Sequence, residues 1–257
     1  MGFYFREMID DLKSFLDEKV DQFNHTSFIT NDPILIPHQF SKKEDIEIIG
    51  YIIATIAWGN RKSILNNGDK LIDIMGNSPH EFVLNATESD LKDINFVHRT
   101  FNSHDLGFFI RAMKEVYSKG LSLEDMFNEG ETTFERIVNF RAKLLNVNHE
   151  KRTEKHVSNP ASGSAAKRIN MFLRWMVRKD NRGVDFGLWN NIQMQDLMLP
   201  LDVHTGNISR KLGLLNRKQN DWKALEEIMI QLRKFDRNDP VKYDFALFGL
   251  GVSKEFE

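Results

Sequence analysis

Met198-Leu199-Pro200-Leu201-Asp202-Val203-His204-Thr205-Gly206-Asn207-Ile208-Ser209-Arg210-Lys211-Leu212-Gly213-Leu214-Leu215 is the stretch from which the rest of the 257-residue chain can be read. Pro200 disfavours helix in Leu199 before it, and Asp202 is a good helix N-cap. Val203, Ile208, Leu212 and Leu215 supply an apolar stripe that Gly213 interrupts near its end. A helix is therefore expected to open at Asp202. A carboxylate placed there accepts backbone N–H bonds and faces the positive end of the helix dipole, which suits it to stabilising a cation. As a residue type it is equally an ordinary cap, and the remaining sequence has to separate the two readings.

The chain is long enough for one large domain or two lobes, and 41% hydrophobic residues suffice for a packed core. It contains no cysteine, which excludes disulfides, thiolate catalysis, Cys-bearing zinc sites and cysteine-held iron–sulfur clusters. No apolar run is long enough to span a bilayer, and Met1-Gly-Phe-Tyr-Phe-Arg-Glu7 lacks the form of a secretory signal. A cytoplasmic protein is expected. The net charge of −2 is unevenly spread: from Met1 to Asn60 ten Asp and Glu stand against five Lys and Arg, whereas Pro160 to Gly183 holds six Lys and Arg against one Asp. Positive charge thus gathers just before the Asp202 stretch.

Met1 to Phe23 has apolar residues at helical spacing (Phe5, Met8, Ile9, Leu12, Phe15, Leu16, Val20, Phe23) and reads as an amphipathic helix. His25 to Phe40, broken by prolines, reads as an extended connection. Ser41 with Glu44 suggests a capping box, and Ile46, Ile48, Ile49, Ile52, Ile53 and Ile56 predict a buried helix behind it. That helix ends in Ala57-Trp-Gly-Asn-Arg-Lys62, where Trp58 to Lys62 is expected to turn, and a second helical period leads to Gly76. Asn60 in that turn is a turn or cap residue by type, and Arg61 and Lys62 are placed to contact phosphates if DNA lies there.

Further helices are expected after Ser78, after Ser89, over Asp105 to Tyr117 and over Thr133 to Asn146. Val97 to Asp105 is the His-rich spot. Its spacing of His98, His104 and Asp105 matches no familiar ligand pair, so no metal site and no cofactor are assigned, and a loop with Arg99 and Phe101 beside a pocket is the alternative use. His149 to Pro160 breaks all periodicity and reads as a linker.

Ala161 to Lys179 starts with Gly163 and Ser164, and a helix is expected from Ser164. On a wheel of about 100° per residue Ile169, Phe172, Leu173 and Met176 share one face, with Lys167, Met171, Arg174 and Arg178 opposite. Such a basic stripe is either a solvated surface or a partner's footprint. The acids that usually intersperse a solvated face are missing from it. Asp185, in the turn-rich run after it, is a second acid candidate or a residue closing a turn. Helices over Trp222 to Phe235 and Tyr243 to Gly249 complete the chain.

The Pro200-Leu-Asp-Val-His204 run closely resembles the catalytic-aspartate segment of the helix-hairpin-helix DNA glycosylases, particularly the 8-oxoguanine branch. In that superfamily a helix-turn-helix carries an Asn or Gln that enters the duplex beside the extruded nucleotide, and Asn60 is similar to it. A Gly-rich hairpin there contacts a phosphate, where this chain has Asn159-Pro-Ala-Ser-Gly-Ser164 instead. A lysine at the start of the next helix attacks the sugar in members that nick DNA, and Lys167 matches its position. The Lys167-to-Asp202 spacing is closer to the archaeal 8-oxoguanine enzymes. The order of elements is similar from about Glu44 to Gly251, and the whole looks most like a bacterial family related to these glycosylases.

The resemblance implies an all-α, two-lobed fold with an interlobe cleft: a bundle over about 44–150 and a second lobe from 1–43 plus 151–257. It implies excision of a flipped, damaged base, 8-oxoguanine first, with or without AP-lyase activity. Asp202 and Lys167 would be the catalytic pair. Asn60, Arg61, Lys62, Gly163, Ser164, Arg168, Arg174, Arg178 and His204 would face duplex DNA, in a monomer associated with the nucleoid. The alternatives are a non-catalytic helical nucleic-acid-binding protein on the same scaffold, with Asp202 a cap, and a general interaction scaffold.

Overall fold

The computed structural model describes residues 2–253, with side chains from Asp10 onward. Among them the fold is all-α, apart from one hairpin of two two-residue strands. No helix among the described residues is long and apolar enough to cross a membrane. The chain divides into two compact units: residues 29–162 form one, and the segment up to Phe28 joins with Gly163 onward to form the other. The expected division puts 44–150 in one lobe and 1–43 with 151–257 in the other. Ile34 and Ile36 are fully buried within the 29–162 unit, so that segment belongs to it rather than to the first helix.

The first helix, α1 (Gly2–Phe23), belongs to the discontinuous unit. Leu16 and Val20 of its apolar face are buried, while the side chains of Phe5, Met8 and Ile9 lie outside the described residues.

Helices α2 (Lys43–Ile56), α3 (Arg61–Ile74), α4 (Pro79–Asn85), α5 (Glu88–Asp93), α6 (Ser103–Tyr117), α7 (Leu123–Met126) and α8 (Thr133–Leu144) make the 29–162 unit. The isoleucines of α2 are all buried and form its centre. Tyr51 meets Phe109 of α6 and Phe140 of α8 at centroid distances of 5.6 and 5.4 Å. Each fully buried aromatic or aliphatic chain contributes about 1.5–3 kcal/mol, so this cluster outweighs the local signals at the helix ends. The expected Ser41 capping box is not formed: α2 begins after Lys42, which makes no side-chain cap, and Asp45 accepts instead from the His80 N–H at 2.8 Å.

Val97–His98 (β1) pairs with Phe101–Asn102 (β2), a hairpin that the sequence pattern did not suggest. The expected linker over 149–160 is a strap held down along its length. Arg141 donates to the Glu154 and Val157 carbonyls, while Thr153 and His156 are buried against Asp105.

The discontinuous unit adds α9 (Lys167–Val177), α10 (Val203–Lys211), α11 (Trp222–Phe235) and α12 (Tyr243–Ser253) to α1, and α12 packs against both α1 and α10. Helix α9 starts three residues later than expected, because Gly163 (φ +88°) and Ala166 (φ +47°) take left-handed conformations that helix cannot include. A Cβ on Gly249 would lie 2.3 Å from the Phe23 ring, so glycine there sets how closely α1 and α12 approach. Val203, read as part of an apolar stripe, is instead 66% exposed, whereas Ile208 and Leu215 are buried as expected.

Candidate functional site

Asp202 is the N-cap of α10. Its Oδ1 accepts the Thr205 N–H at 2.8 Å, and its backbone carbonyl accepts the Gly206 N–H at 2.9 Å and the Asn220 Nδ2 at 2.8 Å. With Oδ1 committed to the cap, Oδ2 faces the Lys167 Nζ at 3.3 Å, and the two side chains are 12% and 35% exposed. Lys167 is the first residue of α9, carried there by the turn through Gly163 to Ala166. That turn is itself anchored: the Gly163 carbonyl accepts from Trp222 N at 3.0 Å, Ser164 bridges to Asp221, and the Ser164 hydroxyl accepts from Ala166 N. Thirty-five residues apart in sequence, a primary amine and a carboxylate are thus held together by two helix starts, both within reach of solvent.

Behind this pair lies a buried ion network. Arg174 and Arg178, expected to face DNA, are 4% and 2% exposed. Arg174 donates from Nε to Asp185 at 3.2 Å and from Nη1 to Asp244. Arg178 binds Asp239 through Nε and Nη2, and Asp185 and Asp180 through Nη1. Phe245 lies under both guanidiniums, 4.4 and 5.3 Å from its centroid. This corrects the sequence reading: neither arginine is available to a phosphate, because acids from other parts of the chain supply the counter-charges missing from the α9 stripe. Asp185 is one of those acids rather than a turn residue.

Asp244 connects the network to the pair. Burial pushes its carboxyl up to about 6; the Arg174 charge opposes the rise, the Asp202 charge adds to it and Lys167 opposes it. Burial likewise raises Asp185, against the pull of Arg174 and Arg178. Among the residues here that the sequence did not single out are Asn220, which has no local signature, and Asp244, whose place as an acid in an apolar helix was the available sign of a buried charge.

The remaining expected residues divide by position. Gly163 and Ser164 are exposed, Arg168 is half-buried, and His204 is exposed with its ring edge-on to Phe248 at 6.2 Å. In the 29–162 unit Asn60 is exposed and caps α3, accepting the Ser63 N–H at 3.1 Å; Arg61 is half-buried and Lys62 exposed. The turn before Asn60 is rigidly held. Gly59 has φ +100°, His98 Nε2 lies 3.1 Å from the Trp58 carbonyl, and the exposed Arg99 covers the Trp58 ring at 4.5 Å. Phe101 is a core residue stacked on Phe109 and shielded from solvent.

His98 is taken up by Asn67 and Trp58, and Asp105 by Arg152, Thr153 and His156. Among the described residues no group of three His, Asp or Glu side chains is arranged to hold a metal ion. Burial raises the Asp105 carboxyl, but the Thr153 hydroxyl, the Asn102 N–H and the Arg152 guanidinium together bring it below its ordinary value.

No curated protein and no solved structure matches the chain. The family described as "Protein of unknown function (DUF2400)" matches residues 32–253, and the chain belongs to that family.

Proposed function

We propose that the protein is a DNA N-glycosylase that excises a damaged base flipped out of duplex DNA, with 8-oxoguanine as the first candidate, and that Lys167 and Asp202 carry the chemistry. The observation that carries this reading is the 3.3 Å approach of Lys167 Nζ to Asp202 Oδ2 at two partly exposed helix starts. Cleavage of an N-glycosidic bond builds positive charge on the sugar, and a carboxylate fixed beside it stabilises that charge.

The Lys167 ammonium must first release a proton to solvent, which it reaches, so that Asp202 stays charged beside the sugar. The freed lone pair then forms a bond to C1′ as the C1′–N bond breaks; the bonding pair leaves with the base, which takes up a proton from solvent. Ring opening gives a Schiff base, from which strand cleavage follows. With water in place of the lysine, the product is an intact abasic strand. Asn60, Arg61, Lys62, Gly163, Ser164, Arg168 and His204 are the proposed contacts to the duplex, Arg174 and Arg178 no longer among them.

The second reading, a nucleic-acid-binding protein without chemistry, is favoured by one observation: Asp202 already serves as a helix cap through Thr205. Asp202→Asn separates the two. Asn caps about as well as Asp, so the melting temperature should barely move, while single-turnover excision falls roughly 10²–10³-fold. Borohydride should trap a covalent adduct with the parent and none with Lys167→Gln. A parent that releases no base and forms no adduct on a panel of lesion duplexes overturns the glycosylase and leaves the binding protein.

A further inference from the structure

Asn220, in the loop between α10 and α11, uses both ends of its amide. Nδ2 donates to the Asp202 carbonyl at 2.8 Å, and Oδ1 accepts from Arg210 Nη2 at 2.6 Å. Arg210 also donates from Nε to the Arg217 carbonyl at 2.8 Å and from Nη2 to the Lys218 and Gln219 carbonyls at 2.9 and 3.3 Å. One guanidinium therefore gathers the loop and aims Asn220 back at the start of α10. Because the Asp202 carbonyl also accepts the Gly206 N–H, both of its lone pairs are used. The peptide after Asp202 is fixed from two directions, and the carboxylate swings from a fixed base.

Gly206 completes the arrangement. A Cβ there would sit 2.6 Å from Asn220 Oδ1, 2.9 Å from its Nδ2 and 3.0 Å from Arg210 Nη1. Glycine inside a helix costs about 1 kcal/mol relative to alanine, so this is an unfavourable choice unless the vacant space is used. Here the Asn220 amide occupies it.

We infer that Asn220, locked by Arg210 in the space left by Gly206, is a positioning residue for Asp202 that holds the carboxylate toward Lys167. The inference rests on the proposed role of Asp202 for its effect on excision, but the clamp itself is testable without it.

Two variants reach the same contact from opposite sides: Asn220→Ala removes the amide, and Gly206→Ala displaces it. The first measurement is amide hydrogen exchange at Thr205, whose N–H reports the Asp202 cap. It should quicken roughly 3–10-fold in both variants, the effect of weakening one hydrogen bond. The second is single-turnover excision, expected to fall roughly 10–100-fold at unchanged duplex affinity, because the charge is misplaced rather than removed. The double variant should be no worse than Asn220→Ala alone, since both act on one contact. Unchanged Thr205 exchange, or additive losses in the double variant, overturns the inference; if Asn220→Ala does not fold, Gly206→Ala decides by the same readouts. A parent without excision refutes the catalytic role of Asp202, and the exchange measurement still decides whether Asn220 holds it.

Discussion

Arg178 grips Asp239 from two sides, Nε at 3.0 and 3.1 Å from its two oxygens and Nη2 at 2.9 Å, although 61 residues separate them in the chain. Burial works against the charge on Arg178, but Asp185, Asp239 and Asp180 more than compensate and raise its pKa. Removing the guanidinium would leave buried carboxylates with no counter-charge.

Arg178→Met is accordingly expected to cost about 3–5 kcal/mol, the penalty of breaking a buried pair from one side. Urea denaturation measures it. The salt dependence of duplex binding should not change. Were Arg178 a phosphate contact, the log–log slope would become shallower by about 0.9 and stability would hardly move.

The same arginine shows where sequence reading stops. Caps are local, so Asp202 and Asn60 could be placed at helix starts from a few neighbouring residues, and both are there. Periodicity likewise found α2, α6 and α11, whose buried faces repeat over many residues. The basic stripe expected on α9 reaches the surface only at Lys167; Arg174 and Arg178, the latter just past the helix end, are internal. What makes them internal is Asp185, Asp239 and Asp244, and the last two come from beyond α11 and lie 61 and 70 residues from their arginines. The strap over 151–156 escaped for a related reason. It has no period because it is held by side chains of α6 and α8 rather than by a face of its own. The approach of Lys167 to Asp202 is long-range too, and only the resemblance had suggested it.

Asp244 gives the protein a distinctive pH dependence. Its folded pKa of about 6 lies above the ordinary 3.8, so between those values the folded state binds more protons than the unfolded one. Its contribution to stability is therefore full below about pH 4 and lost as pH rises through 6. Asp221 acts in the opposite sense. The Arg217 guanidinium, against a weaker effect of desolvation, takes it down to about 2, and its contribution is lost only as pH falls toward that value. Asp244→Asn removes the first effect and keeps an acceptor for Arg174. Relative to the parent, the variant should gain on the order of 2 kcal/mol between pH 4.5 and 7. Parallel stability–pH curves for the two proteins would show that Asp244 carries no such proton.

Asn60 offers the matching test in the 29–162 unit. Its Oδ1 caps α3 through Ser63, and the side chain is exposed next to Arg61 and Lys62. As a cap alone, Asn60 is replaceable by aspartate, which ranks equal to asparagine at this position and faces the same favourable helix dipole. Asn60→Asp should then leave the melting temperature within a degree or two, whereas Asn60→Ala loses about 1 kcal/mol. If Asn60 also enters or borders the duplex, the new carboxylate meets phosphates and the negatively charged groove. Affinity should then fall several-fold, and the loss should shrink as salt screens the repulsion. Fluorescence anisotropy on a lesion duplex at two salt concentrations reads both effects. Equal affinity for parent and Asn60→Asp at low salt would reduce Asn60 to a helix cap and take the DNA contact away from this turn.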